Sequence, residues 1–390
     1  MLRSTITLFL TLLYLSAFSQ LPQTVERIVQ VKQDNKFYVE QADLWKLELD
    51  KNSQNEIAWM NYYLANRYMK VNEKQEVGDY TTKKSDHSLR IERLESIVED
   101  AKKSIPNTYS AYVIENFHTH DQTKKAELLN KIASFNQMEP IMNHDFITHN
   151  ETIGNYTEAK KYYKKLYDSE LTSSALLNFN YNMLQSVSQN SILFTAGDND
   201  TYPIRMLQEA LDIRPDVKIL NVYLAQDDQY LDNWIKQFDI HLDHKLLKAN
   251  SKGHLYNLLL EISKNNSNDI YIANTVHRSM LVHFADSLYC TGLANLYSPK
   301  KANNIPTLKD NVENKFRLDY LSIDFNTEND PRTNNIGHLH SNYITPFTLL
   351  YKHYRSNNDM EHATTYKNFV LKFARQIGKE KKIQDYLDQK

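Results

Sequence analysis

The chain has 390 residues, of which 41% are hydrophobic, 24% are charged and 26 residues are tyrosines. This composition is typical of a folded protein with a sizeable core, and it excludes a disordered tail. Because 46 basic residues are balanced by 48 acidic ones, the formal charge is -2. The sequence therefore gives no electrostatic indication of binding to nucleic acid or to an anionic membrane.

The first 19 residues have the three parts of a secretory signal peptide. Arg3 supplies the positive start, residues 6–15 are mostly apolar, and Ala17-Phe18-Ser19 is a small-x-small cleavage site. The apolar segment is shorter than the ~20 residues of a membrane-spanning helix. We therefore predict a periplasmic or secreted protein, cleaved near Ser19-Gln20, with no transmembrane segment in the mature chain.

Residues 20–188 are predicted to form a helical domain, because apolar residues recur at spacings of three and four and glycine is rare. The segment GNYTEAKKYYKKLY, residues 154–167, resembles the second helix of a tetratricopeptide repeat. Gly154 falls in the turn, Ala159 at the small position and Tyr163 four positions later. Residues 43–70 and 362–373 are degenerate versions of this pattern. We expect divergent helical hairpins whose stacked faces form a surface for a protein partner.

Residues 189–300 show a different pattern. Three short apolar runs, at residues 191–195, 217–222 and 269–273, are rich in β-branched or aromatic residues and alternate with helical segments. This alternation predicts βαβ units with a short parallel sheet. Residues 301–390 return to a helical pattern. The predicted fold class is α+β, mostly α, with tetratricopeptide-like hairpins flanking a small α/β domain.

The loop after the first predicted strand is the candidate site, because α/β folds collect ligands at the carboxyl ends of their strands. Its residues are Gly197, Asp198, Asn199, Asp200, Thr201, Tyr202 and Pro203. Thr201 or Asp200 can cap the following helix, and Pro203 suits its first turn. Capping accounts for one acidic residue and leaves the other unexplained.

Three ligand hypotheses stand beside a purely structural turn. Asp198 and Asp200, with the Asn199 amide oxygen, suit a Ca²⁺ or Mg²⁺ ion; otherwise we expect no cofactor. The same acids form a D-x-D sequence, with which nucleotide-sugar glycosyltransferases hold a metal and a diphosphate, although nucleotide sugars are not expected outside the cytoplasm. The third hypothesis is a sugar or peptide recognised by the carboxylates, with Tyr202 as a stacking surface.

Loops after the other two predicted strands reach the same edge if all three strands are parallel. They add four candidate ligand-binding residues: Asp227, Asp228, His277 and Arg278. The sequence assigns no catalytic residue and no metal-ligand set, because it has no nucleophile elbow, P-loop or H-E-x-x-H motif. Cys290, the single cysteine, is expected to be a buried structural thiol.

Residues 195–203 match a T-x-G-D-N-D-T-[FY]-P motif, and Leu207-Gln208-Glu209 and residues 213–217 match the segments that follow it. On these residues, the region of roughly 189–375 resembles the soluble C-terminal part of multispanning membrane proteins of Bacteroidota, a family of unknown function related to protein O-mannosyltransferases. In that family, glycosyl transfer is assigned to a membrane-embedded N-terminal portion, in whose place this sequence has a signal peptide and helical hairpins. The resemblance therefore implies a periplasmic accessory module.

Together these features favour a non-catalytic periplasmic or outer-membrane-associated binding or assembly protein. Its partner would be a protein, for example in an outer-membrane or secretion complex, and a glycan or glycoprotein is a second kind of ligand. The alternative is an enzyme acting on glycans or glycoproteins. That enzyme would use Asp198 or Asp200 as one acid or base and Asp227, Asp228 or His277 as the other, in one closed pocket.

Overall fold

The computed structural model describes residues 21–28, 31–70, 86–136, 138–243, 247, 253–322 and 333–389. The predicted signal peptide lies outside these residues. The chain divides into two compact units, the first ending at Met138 and the second beginning at Glu139. Among the described residues, no helix combines the length and the apolar character needed to cross a membrane.

The first unit is helical in its described part, as predicted. Its helices are α1 (Asn35–Lys51), α2 (Glu56–Tyr68), α3 (Asp86–Ser104), α4 (Tyr109–His118) and α5 (Gln122–Ala133). Helices α1 and α2 form a hairpin over the predicted residues 43–70, and Trp45, Trp59 and Tyr63 lie in one apolar core. Side chains of Asp34 and Asn55 accept hydrogen bonds from first-turn N–H groups and fix where these two helices begin.

The second unit contains a sheet with helices packed on it. Its helices are α6 (Asn143–Thr152), α7 (Tyr156–Asp168), α8 (Ser174–Gln185), α9 (Thr201–Leu211), α10 (Asp228–Phe238), α11 (His254–Asn265), α12 (Ile305–Asp310), α13 (Thr333–His340), α14 (Ile344–Ser356), α15 (Met360–Gln376) and α16 (Glu380–Asp388). Its strands are β1 (Ile192–Thr195), β2 (Lys218–Asn221), β3 (Ile270–Ala273), β4 (Leu288–Cys290) and β5 (Ala294–Tyr297).

The strand order in the sheet is β2-β1-β3-β5-β4. Strands β1, β2 and β3 are the three predicted strands, and β1 pairs in parallel with both of the others. All residues of β1 and β3, and all of β2 except Lys218, are buried, as is typical of parallel strands covered by helices. The α+β, mostly helical fold class is therefore confirmed, but the sheet is mixed, because β5 pairs antiparallel with β3 and β4 with β5.

The unpredicted β4–β5 hairpin turns at Gly292, and only glycine fits there. Its φ is +145°, and an added Cβ would lie 2.4 Å from Ser186 Oγ and 2.7 Å from Phe316 Cζ. The next residue, Leu293, donates its N–H to the same Ser186 hydroxyl at 2.8 Å. Cys290, at the end of β4, is buried, as expected.

Helices α6 and α7 belong to the second unit, so its start at Glu139 differs from the predicted boundary at residue 188. They form a hairpin against the outer face of α9, around a small separate core that includes Ala159, Tyr163 and Tyr202. Gly154, in the hairpin turn at φ +76°, would clash with Asn233 of α10 if it carried a Cβ. The glycine, alanine and tyrosine of the tetratricopeptide-like segment therefore serve the docking of this hairpin.

Candidate functional site

The loop from β1 to α9 is fixed by one side chain, that of Asp200. It is the N-cap of α9 and accepts the backbone N–H of Thr201 at 2.7 Å. It also accepts the backbone N–H groups of Ala196 and Gly197, each at 2.7 Å. One carboxylate therefore closes the loop on itself, which explains why an acidic residue lies at this position.

The Asp200 carboxylate has no remaining acceptor capacity. Oδ1 accepts from Gly197, from the Thr201 N–H and, at 3.2 Å, from the Thr201 hydroxyl, and Oδ2 accepts from Ala196 and from the Thr275 hydroxyl at 2.5 Å. An ionised carboxylate offers about four lone-pair positions. With Asp200 only 2% exposed, this geometry leaves no accessible oxygen with a free lone pair for a cation or a sugar hydroxyl.

Polar side chains from all three parallel strand ends bond to one another. The Thr195 and Thr201 hydroxyls are 2.8 Å apart, and Asn221 Nδ2 donates to Thr201 Oγ1 at 2.9 Å. Thr275 adds the loop after β3 through Asp200. We call Thr195, Asp200, Thr201, Asn221 and Thr275 the strand-end network. The three loops converge as predicted, but at this point they bind each other.

Tyr202 is turned into the protein. Only 7% of it is exposed, its hydroxyl is hydrogen-bonded to that of Thr148 in α6, and its ring meets the His144 ring edge-on at 4.5 Å between centroids. Burial raises the pKa of Tyr202, and the nearby Asp198 charge raises it further. The ring is therefore not available as a stacking surface for a ligand at this loop.

Asp198 and Asn199 are the outward-facing polar residues of the loop. Asp198 is exposed and Asn199 half-buried, with the Asn199 carbonyl accepting from Asn180 Nδ2 at 2.9 Å. A Cβ on Gly197 would meet no atom within 4 Å, so crowding does not require glycine there. Of the seven loop residues, these three are the ones that are not buried.

The remaining candidates are exposed and make local bonds. Asp227 caps α10 by accepting from the Tyr230 N–H at 3.0 Å, and Asp228 is exposed in the first turn. His277 Nδ1 lies 2.7 Å from Ser279 Oγ, and Arg278 is exposed beside it. The structure brings Thr275 rather than these residues onto the strand-end network.

A buried ionic cluster on the outer face of α9 was missed by the sequence analysis. Arg205 lies between Glu151 at 3.4 Å and Glu209 at 2.9 Å, and the Tyr163 hydroxyl donates to Glu151 at 2.9 Å. Burial raises the pKa of Glu151, whereas the Arg205 charge opposes that rise. The signal that could have revealed this face is the spacing of Tyr202, Arg205 and Glu209 at i, i+3 and i+7 on an amphipathic helix.

Beside this cluster lies a cavity of about 10 Å³, which is room for one water molecule. It is lined by Glu151, Tyr156, Thr201, Arg205, Ile219, Tyr230, Trp234, Gln237 and Phe238. A cavity of this size excludes a sugar or peptide. The ionic cluster therefore serves to attach the α6–α7 hairpin to α9.

The segment after α9 is also held by its own side chains. Arg214, at φ +52°, pairs with Asp216 at 2.9 Å. It also donates to the carbonyls of Leu184, in the last turn of α8, and of Val187 and Ser188, just after that helix. Gln208 Nε2 donates to the carbonyls of Arg214 and Val217, both at 2.8 Å. The L-Q-E and I-R-P-D-V segments thus fix the turn from α9 into β2.

Within the described ranges, no group of three or more His, Cys, Asp or Glu side chains is arranged to hold a metal ion. A family model described as TMEM260-associated domain 2 matches residues 176–239. This segment runs from α8 to the end of α10 and contains every member of the strand-end network except Thr275. The match includes residues 195–217, on which the resemblance in the sequence rests. No curated protein matches the chain.

Proposed function

We propose that this protein is a non-catalytic binding or assembly module whose helical surfaces receive a protein partner. The observation that carries the proposal is the strand-end network. At the edge where an α/β fold usually binds its substrate, Asp200 is saturated by five hydrogen bonds from the chain itself. The other candidate acids and bases are exposed, namely Asp198, Asp227, Asp228 and His277. Exposed groups are poorly suited to paired acid–base catalysis, which needs shifted pKa values.

The cellular setting is also part of this proposal. The N-terminal segment favours export, and the match to TMEM260-associated domain 2 at residues 176–239 supports a relationship to O-mannosyltransferase-type proteins. We place the protein in the periplasm of a Bacteroidota-type cell, free or associated with the outer membrane. The loop residues Gly197, Asp198 and Asn199 then form a secondary site for a glycan or glycoprotein.

Photo-crosslinking in the native host tests this function. A photoreactive residue would replace Leu47 on α1 or Ile57 on α2, which are 53% and 66% exposed although apolar. The matched positions are Asp198 in the loop and Asp286, an exposed acid elsewhere in the second unit. We expect one discrete protein adduct from the helical positions and none from Asp286.

Two outcomes would contradict the proposal. The first is an absence of protein adducts at the helical positions together with glycan adducts at Asp198 alone, which would make the loop the main binding site. The second is a glycan-cleaving or glycan-transferring activity of the purified mature protein that disappears in Asp198→Asn. That result would establish the enzyme alternative.

A further inference from the structure

An open groove of about 520 Å³ lies at the connection between α7 and α8, outside the strand-end network and the ionic cluster. Its lining includes Tyr167, Asp168, Glu170, Thr172, Ser174 and Leu177. The volume falls in the range of ~300–1,000 Å³ that is usual for ligand sites. Unlike the cavity beside Arg205, this groove can receive a whole side chain.

The groove carries two carboxylates that form no ion pair with the described residues. Asp168 and Glu170 are exposed, and within the described part of the chain neither side chain has a hydrogen bond or an ion pair. Other acids, in α7 and α9, are paired, since Glu158 meets Lys161 at 2.5 Å and Glu209 meets Lys160 at 3.2 Å. The described lining of the groove contains no Lys, Arg or His.

Helix capping does not account for these acids either. Asp168 is the last residue of α7, where the helix dipole disfavours a negative charge, and Glu170 follows the C-cap Ser169. An acid that caps a helix lies at the opposite end, as Asp200 and Asp227 do. Neither acid is therefore explained by helix capping, and both place a negative charge at the groove that a cationic group can contact.

The other walls of the groove suit the rest of a long basic side chain. Tyr167 and Leu177 are half-buried and give an aromatic and an aliphatic surface, against which the methylene stem of a lysine or arginine can pack. The face of the tyrosine ring also attracts a cation. Thr172 and Ser174 add hydroxyls at the same groove.

We propose that the α7–α8 groove binds a lysine or arginine side chain of the partner protein, with Asp168 and Glu170 contacting the charged group. This inference rests on the proposed function, because it names the chemistry by which the partner is recognised. A segment with a basic residue fits the groove in charge, in volume and in the mixture of aromatic, aliphatic and hydroxyl walls.

The test uses the mature chain from Gln20 onward, with a random heptapeptide library displayed on phage as the probe. Enriched peptides are synthesised with a fluorophore and titrated against Asp168→Asn/Glu170→Gln and the control Asp286→Asn/Asp319→Asn. Both double variants remove two exposed negative charges from the second unit, and only the first pair lines the groove. Unchanged urea unfolding curves would show that both variants fold.

We expect the enriched peptides to share a Lys or Arg. Their affinity should fall about tenfold in the groove variant and less than twofold in the control, and added salt should weaken binding. Replacement of the shared basic residue by glutamine should cause the same loss in the peptide. Spermidine should compete only weakly, because it lacks the flanking peptide.

Peptides without a shared basic residue, or equal affinity for the groove variant and the control, would overturn the inference. Full competition by spermidine at the peptide's own concentration would also overturn it, because the ligand would then be a free polyamine. Failure of this assay is separable from failure of the proposed function. Photo-crosslinks from Leu47 or Ile57 would still identify a protein partner if the groove bound nothing.

Discussion

The hydroxyl of Thr275, in the loop after β3, donates to Oδ2 of Asp200, in the loop after β1, at 2.5 Å. These residues are 75 positions apart in sequence, and their bond ties together the carboxyl ends of two neighbouring parallel strands. A charged acceptor makes this a stronger bond than one between neutral groups. The bond therefore holds the two loops together at this edge of the sheet.

Thr275→Val should lower the free energy of unfolding by about 1–2 kcal/mol, since it keeps the side-chain shape but removes the hydroxyl that Asp200 accepts from. Thr275→Ser retains that hydroxyl and should lose clearly less. Urea denaturation followed by circular dichroism measures both. A Thr275→Val variant as stable as wild type would contradict this prediction, because it would mean that the hydrogen bond contributes nothing to stability.

Asp200→Ala should lower the free energy of unfolding by ~3 kcal/mol, more than the ~0.5–2 kcal/mol of an ordinary N-cap. The substitution also leaves the N–H groups of Ala196 and Gly197 and the Thr275 hydroxyl without their acceptor. Asp198 is exposed and lies two residues earlier, so Asp198→Ala should change the free energy of unfolding by less than ~0.5 kcal/mol. A loss of similar size in both variants would mean that the hydrogen bonds of Asp200 add no stability beyond that of an exposed loop acid.

The strands and the loop could be predicted because they depend on local patterns. Short apolar runs with β-branched or aromatic residues marked β1, β2 and β3, and the turn residues after β1 marked the loop. Strands β4 and β5 have three and four residues around Gly292, which is too short for an alternating pattern to stand out. Their antiparallel addition to β3 therefore became visible only in the structure.

The direction in which the loop side chains point depends on distant residues. Tyr202 is buried because Thr148 and His144 of α6 cover it. Asp200 has no free acceptor position because Thr275, in the loop after β3, donates to it. No local pattern specifies those contacts. The polar, acidic character of the loop could be predicted from sequence. The hydrogen bonds by which other parts of the chain use up the Asp200 oxygens could not.

Arg205→Met should lower the free energy of unfolding by ~3–5 kcal/mol, because it leaves the Glu151 carboxylate buried without its cation. Adding Glu151→Gln should recover part of that loss, since no uncompensated charge then remains. Denaturation of wild type, both single variants and the double variant measures the coupling. Additive losses would indicate that the two residues contribute through packing alone.

Cys290 should be unreactive in the folded protein. It is buried at 6% exposure, and burial raises the pKa of its thiol to about 12, so almost no thiolate is present at neutral pH. With Ellman's reagent at pH 8 we expect no colour from the native protein and one thiol per chain in 6 M urea. Rapid reaction without denaturant would show that β4 opens readily or that the thiol is accessible.

His340 should make the protein less stable in acid. It is 4% exposed among Tyr320, Tyr343 and Phe373, its Nε2 has no hydrogen-bond partner among the described residues, and burial, with Lys372 nearby, lowers its pKa from 6.5 to about 4. Between these values the unfolded chain binds a proton that the folded chain does not. The contribution of His340 to the free energy of unfolding is therefore fully present above pH ~6.5. It decreases as the pH falls towards ~4, and the total decrease is about 3 kcal/mol.

His340→Phe isolates this contribution, because the phenyl ring keeps the aromatic packing but binds no proton. The difference in unfolding free energy between wild type and variant should shrink, or reverse in favour of the variant, as the pH falls from 7 to 4. Every other titrating group, including Glu151, is common to both proteins and cancels. A difference that stays constant over this range would mean that His340 is protonated in the folded protein with an ordinary pKa, and hence that water reaches it.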